Sequence, residues 1–276
     1  MEKLSEKADG WLQALQRDAA AKRASPPPPT LLTPSSATPP TTTPTTTTIN
    51  EAGATAGGGR GGTVKALLTR PVLVKNVLSA EDIAELDALY AEVRDEERVA
   101  SDGGSTECFK HPNLNDALRD SAHHTCFLNV NRLIDERLPR ILAKVLAVMR
   151  DADRDMEWGA HMGWGVLRDV EHNVRVCEYH DYTTGGEVCD PRHCDGGSLV
   201  TSSILLTPQS SFTGGEFTML EADEETVTEF PDFERGDALI FVSEKWHSVE
   251  VVESGQRCTL VTELWGGPRC LSGRNF

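Results

Sequence analysis

Basic charge is scarce in this chain. Its 276 residues hold 27 Lys and Arg against 43 Asp and Glu, a formal net charge of −16. Residues 1–62 contribute six basic and five acidic side chains, which leaves 21 basic and 38 acidic residues in 63–276. Phosphate binding needs a basic face, so neither nucleic acid nor an anionic membrane surface is an expected partner. A cationic polypeptide would suit the charge, although most acidic surfaces simply keep a protein dissolved. Long apolar runs are missing as well. No stretch reaches about 18 apolar residues, so no membrane-spanning helix is expected. Residues 1–25 include Lys3, Glu6, Lys7, Asp9 and Arg17 and have no signal-peptide core. The seven cysteines are odd in number and form no C-x-x-C pair, which speaks against a zinc knuckle or a disulfide scaffold. Reduced thiols in an intracellular, cytoplasmic protein are the expectation.

What is present divides the chain into four parts. Residues 1–23 carry a helix-compatible pattern built on Leu4, Trp11, Leu12 and Leu15, in competition with a frayed tail. Residues 24–62 are Pro-, Thr- and Gly-rich and cannot bury enough apolar area to offset chain entropy, so a disordered linker is expected. Residues 63–169 read as a helical support region with the first strands. A strand at 72–74 leads to Ser79 and Asp82, a capping-box variant, and then to Ile83, Leu86, Leu89, Tyr90 and Val93 at helical spacing. Residues 98–125 read as irregular. A second helix is predicted from about Asn131, with Leu138, Ile141, Leu142, Val145 and Met149 on one face. Pro139 either opens it or breaks it.

Beyond Trp164 the period falls from 3.6 to 2. Strand patterns cover 174–179, 199–207, 215–220, 225–230, 238–242, 248–252 and 257–264, separated by Gly-containing turns. Many short strands in series predict a mainly β fold, a sandwich or barrel over 170–270, with the helices packed on one outer face.

Three features of that region carry chemistry. His193-Cys194-Asp195 is the only His-x-acid triplet, where about 1.2 would arise by chance. On extended chain His193 and Asp195 point the same way and can meet on one ion. His247 lies 52 residues after Asp195, room for about four short strands that bring a later strand back beside the first. Arg257 sits in an otherwise apolar strand. Buried there, it needs an anion, and its fork suits a carboxylate. A surface His, a core His and an ordinary salt bridge are the bland alternatives. Two imidazoles and one carboxylate with open positions form the ligand set of non-haem Fe(II) oxygenases. Ser254-Gly255 is read as the turn of a hairpin joining the strands of His247 and Arg257.

Four elements in order resemble the Fe(II)/2-oxoglutarate-dependent dioxygenase superfamily, and most nearly its prolyl 4-hydroxylase and procollagen lysyl hydroxylase branch. They are His193-x-Asp195-Gly196-Gly197-Ser198, Phe212-Thr213-Gly214-Gly215-Glu216-Phe217, Arg235-Gly236-Asp237-Ala238-Leu239-Ile240-Phe241, and His247 through Gly255-Gln256-Arg257. The resemblance spans about 170–266, and 72–89 is similar to the segment before the catalytic core. It implies a double-stranded β-helix, or jelly roll, in which His193, Asp195 and His247 ligate Fe(II). Arg257 would bind the distal carboxylate of 2-oxoglutarate, where some branches use lysine. Tyr179 would face the co-substrate, with Tyr182 as its competitor, and Thr259 shares a strand face with Arg257. O2 and 2-oxoglutarate would be consumed, with succinate and CO2 released and L-ascorbate keeping the metal reduced. Asp195 favours hydroxylation over halogenation, and the substrate would be a peptide, on proline or lysine, or a small molecule. Two other readings stand beside it: a non-catalytic jelly-roll binding module, with or without a structural metal, and a metal-dependent barrel enzyme that does not use 2-oxoglutarate.

Overall fold

A computed structural model of the chain describes residues 64–102, 122–158, 167 and 171–272. The expected helix over 1–23 and linker over 24–62 lie outside these residues. After a short helix α1 (Val64–Leu67) and strand β1 (Val72–Val74), helix α2 runs over Ala80–Asp102. Its start is the anticipated capping box. The Asp82 N–H donates to Ser79 Oγ, and the Ser79 N–H donates to Asp82 Oδ2 at 2.9 Å. Strand β2 (His123–Phe127) follows, then a one-turn 3-10 segment (Val130–Arg132), α3 (Leu133–Arg137) and α4 (Pro139–Met156). The single helix predicted from Asn131 is thus three pieces. Asn131 and Arg132 take left-handed backbone, and Pro139 cannot donate within a helix but fits its first position.

The remaining strands are β3 (Asn173–Thr183), β4 (Val188–His193), β5 (Val200–Leu205), β6 (Phe212–Gly214), β7 (Phe217–Leu220), β8 (Val227–Glu229), β9 (Ala238–Val242), β10 (His247–Val249) and β11 (Val252–Trp265). A large antiparallel sheet has the order β1-β9-β5-β11-β3-β2, with β6 also on β11. A small one has the order β4-β10-β7-β8. The two sheets form the sandwich expected from the strand pattern, arranged as the jelly roll that the resemblance implies. Between them lie Leu205, Leu239 and Phe241 from the large sheet and Phe217, Met219 and Val249 from the small one. The outer face of the large sheet, with Val200, Ile204, Ile240, Leu260 and Leu264, packs against Leu86, Leu89, Ile141, Val145 and Met149 of the helices. Helices on one face follow from that arrangement. All of this lies in one compact unit, Thr55–Phe276. Among the described residues no helix is long and apolar enough to cross a membrane.

Candidate functional site

Strand pairing builds the metal-ligand cluster. β10 runs antiparallel to β4, and His247 stands opposite His193, the last residue of its strand. Cross-strand neighbours share a face, so the two rings meet edge to face with centroids 5.0 Å apart. The chain then turns back. The Asp195 N–H donates to Ser243 O at 2.8 Å and the Ser198 N–H to Asp195 O at 3.1 Å. This returns the Asp195 carboxylate between the imidazoles, with Oδ1 3.5 Å from His193 Nε2 and Oδ2 3.7 Å from His247 Nε2. One donor atom from each residue lies within 4.8 Å of the others.

Partners behind the cluster fix the donors. His247 Nδ1 is 3.0 Å from Lys245 O and donates to it, which leaves the Nε2 lone pair for an ion. Lys245 is itself fully buried, with its ammonium on Leu67 O and Glu221 Oε2. The Thr201 hydroxyl donates to Asp195 Oδ2 at 2.9 Å and lies 2.9 Å from Ser243 Oγ. The His247 ring stacks on Phe217 and touches Phe241. His193 is the partly exposed member and marks the open side. Beneath the turn, Arg175 Nη1 donates to Gly196 O and Ser198 Oγ, and Ser198 donates to Glu263. A Cβ at Gly197, where φ is +88°, would lie 3.2 Å from that guanidinium.

Arg257 occupies the same interior. Along β11 the side chains of Glu263, Val261, Thr259 and Arg257 alternate onto the inner face. Glu263 stands opposite Thr201 of β5, and Arg257 opposite Tyr182 of β3. Arg257 is only 2% exposed, yet its Nη1 has no hydrogen-bond partner among the described residues. Burial pulls its pKa below the usual arginine value, and Tyr182, Cys258 and Glu216 only partly oppose this. Its guanidinium carbon lies 5.5 Å from the Tyr182 ring centroid. Gly215, at φ +69°, makes room for it, since a Cβ there would come within 2.9 Å of Arg257 Cδ.

His193, Asp195 and His247 therefore come together, and Arg257 and Thr259 share the inner face with them. Tyr179 does not join them, which corrects the sequence expectation. It sits on the outer face of β3, stacked on Tyr90 of α2 at 4.2 Å, with its hydroxyl donated to Asp87. Strand alternation puts Tyr182, three residues on, inside. The expected hairpin is also corrected. β10 belongs to the small sheet and β11 to the large one, and Gly255 lies within β11, paired to Phe212. Thr201, Ser243 and Lys245 were not singled out from sequence. Nothing local marks a hydroxyl or a lysine as the support of a ligand that is remote in the chain.

No family model matches the chain, and no curated protein matches it. Among solved structures it is similar to an oxidoreductase of the 2OG-Fe(II) oxygenase family from Burkholderia pseudomallei. The identity is 18% and the TM-score 0.46, over 79% of this chain and 94% of that one. It is also similar to a Pseudomonas putida prolyl-4-hydroxylase, at 17% identity and TM-score 0.45 over 74% and 99%. A viral collagen prolyl hydroxylase from Paramecium Bursaria Chlorella virus-1 matches at 12% identity and TM-score 0.45, with the same coverages.

Proposed function

We propose that the chain is an Fe(II)- and 2-oxoglutarate-dependent dioxygenase that hydroxylates a C–H bond. The observation that carries this reading is the pairing of a two-His, one-carboxylate cluster with a buried guanidinium whose Nη1 has no hydrogen-bond partner among the described residues. The donor set fits ferrous iron: two neutral imidazoles and a carboxylate, with one side open. His193, Asp195 and His247 would hold it, and the metal, when bound, supplies O2 activation and the oxidation of 2-oxoglutarate to succinate and CO2.

The protein's own residues orient and seclude. Lys245 O and Thr201 Oγ1 aim His247 and Asp195. The Phe217 and Phe241 rings keep water from the inner flank of His247. The orphaned Nη1 of Arg257 receives the distal carboxylate through a charge-assisted bond. A module with only a structural metal gives no reason for a buried guanidinium whose Nη1 is unsatisfied among the described residues, which is costly.

The finer reading is a peptidyl proline or lysine substrate, in keeping with the family branch that the motifs resemble. A cationic peptide also suits the acidic chain. L-Ascorbate is the reductant expected to sustain turnover. The buried thiols of Cys126, Cys177 and Cys258 support an intracellular setting. The test is incubation with Fe(II), 2-oxoglutarate, ascorbate, O2 and a peptide library, read by mass spectrometry. Addition of one oxygen to Pro or Lys, absent in His193→Ala, is expected. Oxygen added at neither residue, despite succinate release, would contradict the substrate class.

A further inference from the structure

A second set of titratable side chains, none of them one of the three metal-ligand residues, lies on the inner face of the large sheet. Glu178, His180 and Tyr182 alternate along β3, and β2 places Thr125 opposite His180 and His123 opposite Tyr182. Glu178 Oε2 is 3.0 Å from His180 Nε2, and His180 Nδ1 is 2.7 Å from His123 Nε2. A carboxylate only accepts, so His180 donates from Nε2 to Glu178, and the short contact between His180 Nδ1 and His123 Nε2 pairs one donor with one acceptor. Thr125 Oγ1 adds a longer contact of 3.4 Å to His180 Nδ1.

The chain ends on a stack. The His123 ring lies on the Tyr182 ring with centroids 4.0 Å apart and planes 16° apart. Tyr182 in turn lies beside Arg257. Glu178 and Tyr182 are buried, and His180 and His123 between them are half-buried. Burial, reinforced by His180, His124 and Arg257, holds the His123 pKa down at about 3, so the ring stays neutral beside the cation.

We infer that Glu178, His180 and His123 are positioning residues of the Arg257 anion subsite: the hydrogen-bond chain fixes the His123 ring, and that ring holds Tyr182 against the guanidinium. The inference rests on the proposed use of 2-oxoglutarate. Its physical content is pre-organisation. A side chain whose rotamer is already locked loses little freedom when the ligand arrives, so affinity is gained without a direct contact. The strand pattern gives the reason for the residue types, since positions 178, 180 and 182 all face inward at a period of two.

The test is calorimetric titration of 2-oxoglutarate into the full-length, Mn(II)-loaded chain, with Arg257→Gln as the loss control. His123→Ala should weaken co-substrate binding about tenfold. His123→Phe keeps a flat ring on Tyr182 but cannot bond His180, so it should recover only part of that loss. His180→Phe, which releases His123, should weaken binding about threefold. Mn(II) affinity should be the same in all. Nitrogen NMR of the metal-free chain should show His180 protonated on Nε2. Unchanged affinity in His123→Ala or His180→Phe, full rescue by His123→Phe, or His180 without a proton on Nε2 would overturn the inference. Failure of the parent chain to bind 2-oxoglutarate would instead overturn the functional reading, while the NMR result would still decide the hydrogen-bond chain.

Discussion

Arg257 and Tyr182 face each other across the β11–β3 ladder, with the guanidinium carbon 5.5 Å from the ring centroid and no hydrogen-bond partner for the buried Nη1 among the described residues. The protein thus bears the desolvation cost of a cation and recovers only part of it from an aromatic face. An anionic ligand would complete the pair. Replacing Arg257 by Gln should weaken 2-oxoglutarate binding roughly 100-fold, on the order of 3 kcal/mol for a buried charge pair. The metal-free variant should be no less stable than the parent in urea unfolding. A large loss of stability would show Arg257 to be a structural ion-pair member.

Thr201 touches no ion in the proposed site, yet its hydroxyl fixes Asp195 Oδ2. Thr201→Val preserves shape and removes that donor. Metal affinity should fall by roughly 10–100-fold, the usual effect of losing such a support. Calorimetric titration with Fe(II) under anaerobic conditions measures it. Unchanged affinity would mean that the turn around Asp195 positions the carboxylate unaided.

Acid should destabilise the fold in two stages. His123 titrates at about 3 in the folded chain against an ordinary 6.5, so the unfolded chain takes up the extra proton between these values. Stability should therefore fall with pH from about 6.5 to 3, by up to about 1.4 kcal/mol per pH unit from this group. Asp82 follows lower down. Burial pushes its pKa up, but Lys144, the Ser79 N–H and Arg140 outweigh this and hold it far below the carboxylate range. Its contribution is present above the ordinary carboxylate pKa and is lost as pH drops below about 4. Urea midpoints at several pH values check this, and His123→Phe should flatten the upper stage only.

Asp82 also ties the two long helices together. It caps α2 and pairs with Arg140 and Lys144 of α4 while being fully buried. Arg140 and Lys144 are half-exposed and stay solvated without it, so Asp82→Ala loses the helix cap and a half-buried ion pair, on the order of 2 kcal/mol. For a domain of this size that lowers Tm by about 4–8 °C in calorimetry. Loss of only a degree or two would place the pair with weak surface bridges.

Periodicity and turn residues made much of the architecture legible. Ser79 and Asp82 announced their cap, and the strand at 238–242 has the expected bounds. The His193-x-Asp195 spacing and the distance to His247 anticipated a cluster that the β4–β10 register closes. Other features depend on partners far along the chain. His123–Thr125 closes the segment 98–125 that reads as irregular, yet it begins β2, which pairs with β3. Tyr179 and Tyr182 differ in which face of β3 they take: Tyr179 stacks on Tyr90 of α2, and Tyr182 on His123 of β2, both remote in the chain. Gly255 has turn chemistry, but pairing with β6 absorbs it into a long bent strand.

The most direct measurement is the visible absorption of the full-length chain under anaerobic conditions after addition of Fe(II) and then 2-oxoglutarate. The proposed site predicts a weak metal-to-ligand charge-transfer band that needs both additions. The band should vanish in Asp195→Ala and should require much more 2-oxoglutarate in Arg257→Gln. No band in the parent chain, alongside an established 2-oxoglutarate oxygenase that shows one, would contradict the account.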